Sequence, residues 1–376
     1  MQEIQKRLNK LYHQRELRSR SFDPHPNLYI SYSHLQKDIE SNGMILNTAK
    51  YLRLTADELI ERYSQEKPLS IKVNELEWKL PHTCIFDNTL QQLSLSNIVV
   101  EQDRISPQYI IPTRLETKAS DVLEEIGDFF HDSTTIRLNQ IIQDIDKLTL
   151  VVSKAHYLDH IATNYAMDAL LVERGWTKSL RDIINPGKRL EPLETSLLAN
   201  HIGVSVLIIT SDNYLILPIR SHEKVSIWHK QVMPSISGAA SYDEDMWSTR
   251  KGPVAAWMRE GREELGLENS NFEEPGIFLG ITREFLRGGK PELFFTTHIT
   301  LTKTKLEQKF HKARDKWENK ELRWFEFSVP LTPLSTEDER QMFLDDFLRL
   351  MKQYQNILSQ SLQANLALWF KYMMSL

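Results

Sequence analysis

The stretch Gly252-Pro-Val-Ala-Ala-Trp-Met-Arg-Glu-Gly-Arg-Glu-Glu-Leu-Gly-Leu267 decides how the rest of this chain is read. Pro253 suits the first turn of a helix, where its missing N–H would have no partner anyway, and Gly266 suits the stop, where the backbone turns left-handed. The spacing predicts a helix over 253–265. Along it Val254, Met258, Gly261 and Leu265 form one stripe, whereas Glu260, Glu263 and Glu264 share another face at i, i+3 and i+4. Neighbouring carboxylates repel, by a few tenths of a kcal/mol per pair on an exposed helix. A hard divalent cation reverses that penalty, and Mg²⁺ takes oxygen ligands and commonly completes its shell with substrate phosphates. The plainer reading is a solvated acidic face in which Glu263 bridges Arg259 one turn back.

The run Arg259-Glu-Gly-Arg-Glu-Glu-Leu-Gly-Leu267 resembles the distal half of the Nudix box, Arg-Glu-U-x-Glu-Glu-x-Gly-U, with U a bulky apolar residue. Gly261 alone departs from it. A glycine inside a helix costs about 1 kcal/mol relative to alanine, so close approach of another backbone is expected there. The proximal half of the box differs: Asp245 stands where the family has Gly, and Lys251 where it has Glu. Met233-Pro-Ser-Ile-Ser-Gly-Ala-Ala240 looks like the glycine-bearing turn that opens the box, displaced by an insertion ahead of Arg259. Asp243, Glu244 and Asp245 lie in that insertion; either one of them supplies the missing carboxylate or the outer ligand is lost.

The resemblance implies an α/β fold: a Nudix α/β/α sandwich over 196–332, preceded by an α+β region over 1–195 and followed by a long amphipathic helix within 333–376. It implies a hydrolase that uses Mg²⁺, or Mn²⁺ in its place, to cleave a nucleoside diphosphate linked to a further group. Glu260 and Glu264 would be metal ligands, Glu263 a ligand or the general base, and Glu264 a further catalytic carboxylate. Arg259 would orient the carboxylates, and Gly238 could offer its carbonyl to the metal. A weaker resemblance to the UDP-sugar diphosphatase branch runs through Tyr157-Leu-Asp-His-Ile-Ala-Thr-Asn164, Leu198-Ala-Asn-His-Ile-Gly-Val-Ser-Val206, Ile219-Arg-Ser221 and Ser235-Ile-Ser-Gly238. It favours UDP-sugars over ADP-ribose or NAD-type substrates and places Arg220 against substrate phosphate; the alternative is a surface arginine at a strand end.

Arg283, Arg287, Gly288, Gly289 and Lys290 make a basic, glycine-bearing loop in which Arg287 and Lys290 could hold a phosphate, since glycines let backbone N–H groups come close. An ordinary turn with solvated charges fits equally well. Glu284 and Glu292 flank the loop as alternative bases. His156-Tyr-Leu-Asp-His160 is similar to an inverted zinc-protease motif, but Asp replaces Glu and the preceding LTLVVSKA reads as a strand, which would hold the imidazoles too far apart.

The 376 residues carry 46 Lys+Arg against 51 Asp+Glu, a net charge of −5, with 41% hydrophobic residues and one cysteine. Such a composition excludes collagen-like, disordered and disulfide-scaffold classes and gives no reason to expect nucleic acid as a partner. Cys84 alone can form neither an intramolecular disulfide nor a Cys-based zinc site, which fits a reducing cytoplasm. The N-terminus lacks a secretory apolar stretch, and no run of about 18 apolar residues predicts a membrane span. The expected partner is a small nucleotide; a homodimer stays open. The pattern further predicts an amphipathic helix over 2–20 (Ile4, Leu8, Leu11, Leu17), short strands at 28–32, 69–80, 98–100, 109–111 and 148–152, and helices at 55–64, around Val122–Phe130 and at 167–172. A hairpin spans Val204–Ile219, with more strands at 277–282, 293–299 and 322–327. Thr336 and Glu339 have capping-box spacing, and Phe343, Phe347, Leu350, Tyr354 and Ile357 recur helically. The N-terminal region could complete the site, cover a dimer interface or bind a partner. A second function class is a nucleotide-binding sensor whose altered box, at Asp245 and Lys251, has lost catalysis.

Overall fold

A computed structural model describes residues 50–51, 54–73, 76–126, 131–171, 174–221, 231–246, 251–273, 276–331, 334–354 and 357–375. The helix expected over 2–20, the strand at 28–32 and Phe129–Phe130 lie outside the described residues. The N-terminal half supplies β1 (Lys50–Tyr51), α1 (Ala56–Arg62), β2 (Pro68–Val73), β3 (Leu76–Asp87), α2 (Asn88–Gln91), β4 (Ile98–Gln102), α3 (Thr113–Ile126), β5 (Thr134–Gln143), β6 (Leu148–His156), α4 (Tyr157–His160), β7 (Ala169–Leu170) and α5 (Leu180–Ile184). The C-terminal half supplies β8 (Gly203–Ile209), β9 (Tyr214–Arg220), β10 (Ile236–Ala239), α6 (Tyr242–Asp245), α7 (Pro253–Leu265), β11 (Ile277–Glu284), β12 (Lys290–His298), α8 (Lys303–Phe310), β13 (Asn319–Glu326), α9 (Glu337–Tyr354) and α10 (Gln360–Ser375).

The main sheet runs β13-β9-β8-β12-β11-β3-β2, with β10 also paired to β8. β8 and β12 are parallel, and the other pairings in this sheet are antiparallel. The hairpin partners β8 and β9 pair only at Ile209 and Leu215, so β10 takes the place beside Gly203–Val206. Alternation along β8 separates two cores. Val204, Val206 and Ile208 join Trp257, Met258 and Leu265 of α7 in one core. Leu207 and Ile209 join Phe343, Phe347 and Trp369 of α9 and α10 in the other. Helices on both faces make this an α/β/α sandwich. No helix among the described residues is long and apolar enough to cross a membrane.

Local signals account for the element ends. Thr55 and Glu58 form the expected capping box, with Thr55 Oγ1 accepting from Glu58 N at 3.2 Å and Glu58 Oε2 accepting from Thr55 N at 2.7 Å. Thr336 and Glu339 do the same for α9 at 3.2 and 3.0 Å. α7 begins at Pro253 and stops at Gly266, whose φ of 70° is the left-handed cap.

Several expectations need correction. The boundary expected at 195 does not divide the sheet, because β2 and β3 extend it beyond β11. The C-terminal helix is two helices, α9 and α10; Ile357 sits in their connection, so its helical spacing with Tyr354 is not used. Segment 109–111 forms no strand, and 167–172 gives the short β7 rather than a helix, since Ala169 and Leu170 pair with β1. Gly238 lies within β10, not in a turn. The close approach at Gly261 comes from a side chain, the Phe272 ring, 2.8 Å from where a Cβ would stand.

Candidate active site

α7 turns its apolar stripe onto the sheet, and this sets where its acids point. Glu264 is 3% exposed, while the Glu260 and Glu263 side chains are 14% and 16% exposed. Gly238 of β10 lies directly against the Glu260 carboxylate, so that a Cβ at 238 would overlap it. A side chain at 238 would make the Glu260 carboxylate shift from this position.

Arg259 organises the acids. It donates to Glu260 Oε1 at 2.9 Å, to Glu263 Oε2 at 3.1 Å and to the Ala239 carbonyl at 3.0 Å. From its other side Asp245 accepts from Nε and Nη2, both at 3.1 Å. Asp245 is itself fixed, accepting from Ser241 N at 2.7 Å, and is almost fully buried. Of the three acids in the insertion, Asp245 is therefore the one engaged most closely. Glu244 stands 3.4 Å from Arg259, and Asp243 instead meets Thr134 and Lys154. Lys251 is exposed.

The C-terminal end of β9 and the turn before β13 complete the surroundings. Arg220 reaches Glu318 at 3.3 Å, and Asn319 Nδ2 donates to Glu264 Oε2 at 3.2 Å. Glu264 Oε1 is buried without a hydrogen-bond partner among the described residues. Arg314 meets the second oxygen of Glu263 at 2.8 Å. Burial, opposed by Arg259 and reinforced by Glu318 and Glu263, pushes the Glu260 carboxyl up to about 8. Burial, then Glu318 and Glu260, raises Glu264 well above the usual range against Arg220 and Asn319. Burial also raises Glu318, against Arg220.

Glu318 and Asn319 were not singled out from the sequence, although polar residues where a strand begins are a usable signal. Arg220 does stand with the α7 acids. Arg287 and Lys290 do not. Arg287 is paired with Glu284, and Lys290 lies 3.7 Å from Glu292, all buried. Register puts Glu292 beside Gly203 and Gly238 beside Val204, so the two groups occupy opposite faces. The 283–290 segment is thus neither a solvent-facing phosphate loop nor a solvated turn. The reason is a clamp: Arg181, paired with Asp168 at 2.6 Å, donates to the Phe285 and Leu286 carbonyls and draws the loop inward. Glu284 and Glu292 are correspondingly removed from the α7 site. His156 is engaged by Asp132 at 2.9 Å, and His160 stacks on His201 at 3.7 Å, so the two do not grip one ion.

The donor set on α7 suits a hard cation: oxygen ligands, one buried oxygen without a partner, and a glycine cradle beside Glu260. Among the described residues, no three acidic, histidine or cysteine side chains already form a closed metal cage. Arg259 pairs with two of these acids, Glu260 and Glu263.

No family model matches the chain, and no curated protein does. Among solved structures it is similar to a Deinococcus radiodurans protein at 17% identity, over 35% of this chain and 70% of that one, with a TM-score of 0.24. A Nudix hydrolase from Nitrosomonas europaea matches at 14% identity over 44% and 84%, TM-score 0.24. A Nudix-family hydrolase from Clostridium perfringens matches at 16% identity over 44% and 95%, TM-score 0.21. At such TM-scores the likeness carries no argument, and the functional reading rests on the chain's own residues.

Proposed function

We propose that this chain is a Nudix-type hydrolase that cleaves the diphosphate of a nucleoside diphosphate linked to another moiety, UDP-sugars being the favoured class. The observation that carries the reading is the placing of Glu260 of α7 against Gly238, with Glu264 one turn further along the helix and one of its oxygens buried without a hydrogen-bond partner among the described residues. Glu260 and Glu264 would hold Mg²⁺ or Mn²⁺, with the Gly238 carbonyl at hand. When bound, the cation supplies neutralisation of charge developing on the phosphate oxygens.

The chain's own residues have separable tasks. Arg259, held by Asp245, fixes the direction of Glu260 and Glu263. Arg220 faces the acids from β9 and offers a cation to substrate phosphate. Water forms the new P–O bond as the bridging P–O bond breaks, and its proton passes to a carboxylate. Both oxygens of Glu263 are engaged, by Arg259 and Arg314. Glu318, touched at one oxygen by Arg220, is better placed to accept that proton. The products are a nucleoside monophosphate and the phosphorylated second moiety.

The sensor alternative drew on Asp245 and Lys251 as lesions of the box. Asp245 pairs with Arg259, so only Lys251 still speaks for it. Release of a nucleoside monophosphate from a panel of nucleoside diphosphate derivatives, with and without divalent metal, tests the reading. Binding without product under every metal would favour the sensor.

A further inference from the structure

The turn that ends in Glu318 also carries Trp317, the one exposed tryptophan, tyrosine or phenylalanine among the described side chains, at 41% exposure. Trp317 is the middle residue of the short 3₁₀ turn Lys316–Glu318 between α8 and β13. Both flanks of that turn are tied to the α7 acids. Ahead of it, Asp315 N donates to the Glu263 carbonyl at 2.8 Å, and Arg314 reaches the Glu263 carboxylate at 2.8 Å. At its end, Glu318 meets Arg220, and Asn319 donates to Glu264. A residue between such anchors stands at the rim of the acid cluster.

The indole is held in place. Asp315 Oδ1 accepts from Trp317 Nε1 at 3.2 Å, while Asp315 Oδ2 accepts from Arg314 Nε and Nη2, both at 3.1 Å. From the Glu263 carboxylate to the indole there are thus three contacts of hydrogen-bond length, through Arg314 and then Asp315. The ring's single polar atom is used by that anchor, so the surface it shows to solvent is carbon. Single exposed apolar residues occur on any protein and mark nothing by themselves. Here the exposed ring has a fixed orientation and borders a cluster of acids and arginines.

Position narrows the ligand group that meets it. When a nucleotide's diphosphate lies between the α7 acids and Arg220, its base is one ribose further out, towards the rim. A flat apolar ring, already oriented, matches a nucleobase, because stacking on an aromatic side chain asks only for a π-face. A tryptophan offers that area with only two torsions to fix. Such a contact does not discriminate strongly between bases.

We propose that Trp317 is the platform on which the nucleobase of the substrate stacks. The proposal rests on the reading of the α7 acids as a diphosphate site and adds the residue that receives the other end of the nucleotide. Calorimetry on the full chain with Mn²⁺ tests it. The probes are α,β-methylene-UDP and α,β-methylene-ADP, whose bridges resist hydrolysis, beside methylenediphosphonate, which has the same two phosphorus groups and no nucleoside. Trp317→Ala should weaken both nucleotides at least about tenfold and leave methylenediphosphonate within about twofold. Trp317→Phe keeps a stacking ring and should hold both nucleotides within about threefold of wild type. If Trp317→Ala lowers Tm, Trp317→Leu, which keeps apolar bulk without a π-face, decides by the same criterion. Unchanged nucleotide affinity in the variant, a parallel loss for methylenediphosphonate, or no nucleotide binding by wild type overturns the proposal. The hydrolase reading is scored apart, by product release from a UDP-sugar. Product from wild type with unchanged nucleotide affinity in Trp317→Ala removes the platform alone. Selective affinity loss without any product from wild type removes the hydrolase reading and keeps the platform.

Discussion

Asp245 and Arg259 meet through two oxygens and two nitrogens, each pair 3.1 Å apart, and thereby join a short inserted helix to the acidic face of α7. Both Asp245 oxygens are taken up by Arg259. It holds the guanidinium that in turn holds Glu260 and Glu263. Asp245→Asn keeps the shape and removes the charge. It should lower stability by about 1–3 kcal/mol, the worth of buried hydrogen bonds to a charged group, read as a lower urea midpoint. Mn²⁺ affinity should fall with it in calorimetry.

Gly238→Ala puts a methyl group where the Glu260 carboxylate lies. Overpacking of this kind costs about 1–3 kcal/mol. Mn²⁺ binding should weaken by more than tenfold while far-UV circular dichroism stays unchanged; unchanged binding would mean that Glu260 does not face the cation.

The divalent site should be proton-linked. Burial lifts Glu260 from its ordinary 4.5 to about 8 in the metal-free chain, and Glu264 rises as well. A raised carboxyl favours the folded state below its ordinary value, and that contribution is lost as pH climbs through the folded value. Metal-free Tm should therefore fall between about pH 5 and pH 8 from this source. Mn²⁺ needs the ionised carboxylates, so binding near pH 7 should release protons, measurable as a dependence of binding enthalpy on buffer ionisation heat.

Trp369, 1% exposed on α10, stands edge-on to Phe327 and Phe343 with ring centroids 5.4 and 5.3 Å away. Trp369→Ala should cost about 3–5 kcal/mol, as large-to-small core changes of aromatics do. A drop in Tm with the α7 acids untouched would show that α10 is part of the folded body.

What could be read from the residues was local. Pro253, Gly266 and the 3.6-residue stripe between them define α7 to its ends, and Thr55–Glu58 and Thr336–Glu339 mark two more helix starts. Pairing across distance was not legible. Nothing in Pro68–Asp87 says that these strands extend a sheet built mostly after residue 200, and nothing near Arg287 or Lys290 says that Arg181 will draw their loop inside. The same limit hid Glu318, which reaches the α7 acids only because β13 pairs with β9. Asp245 was visible as one of three acids in an insertion; choosing among them required the fold.

The central claim is that the α7 acids serve metal-assisted hydrolysis of a nucleoside diphosphate derivative. Its most direct test is release of nucleoside monophosphate from a UDP-sugar and related substrates by wild type and Glu264→Gln, with Mg²⁺, with Mn²⁺ and with chelator. The account predicts metal-dependent release by wild type and a rate reduced at least a hundredfold, roughly 3 kcal/mol in barrier height, in the variant. Product formation that ignores both the metal and Glu264, or no product from wild type under any metal, would contradict it.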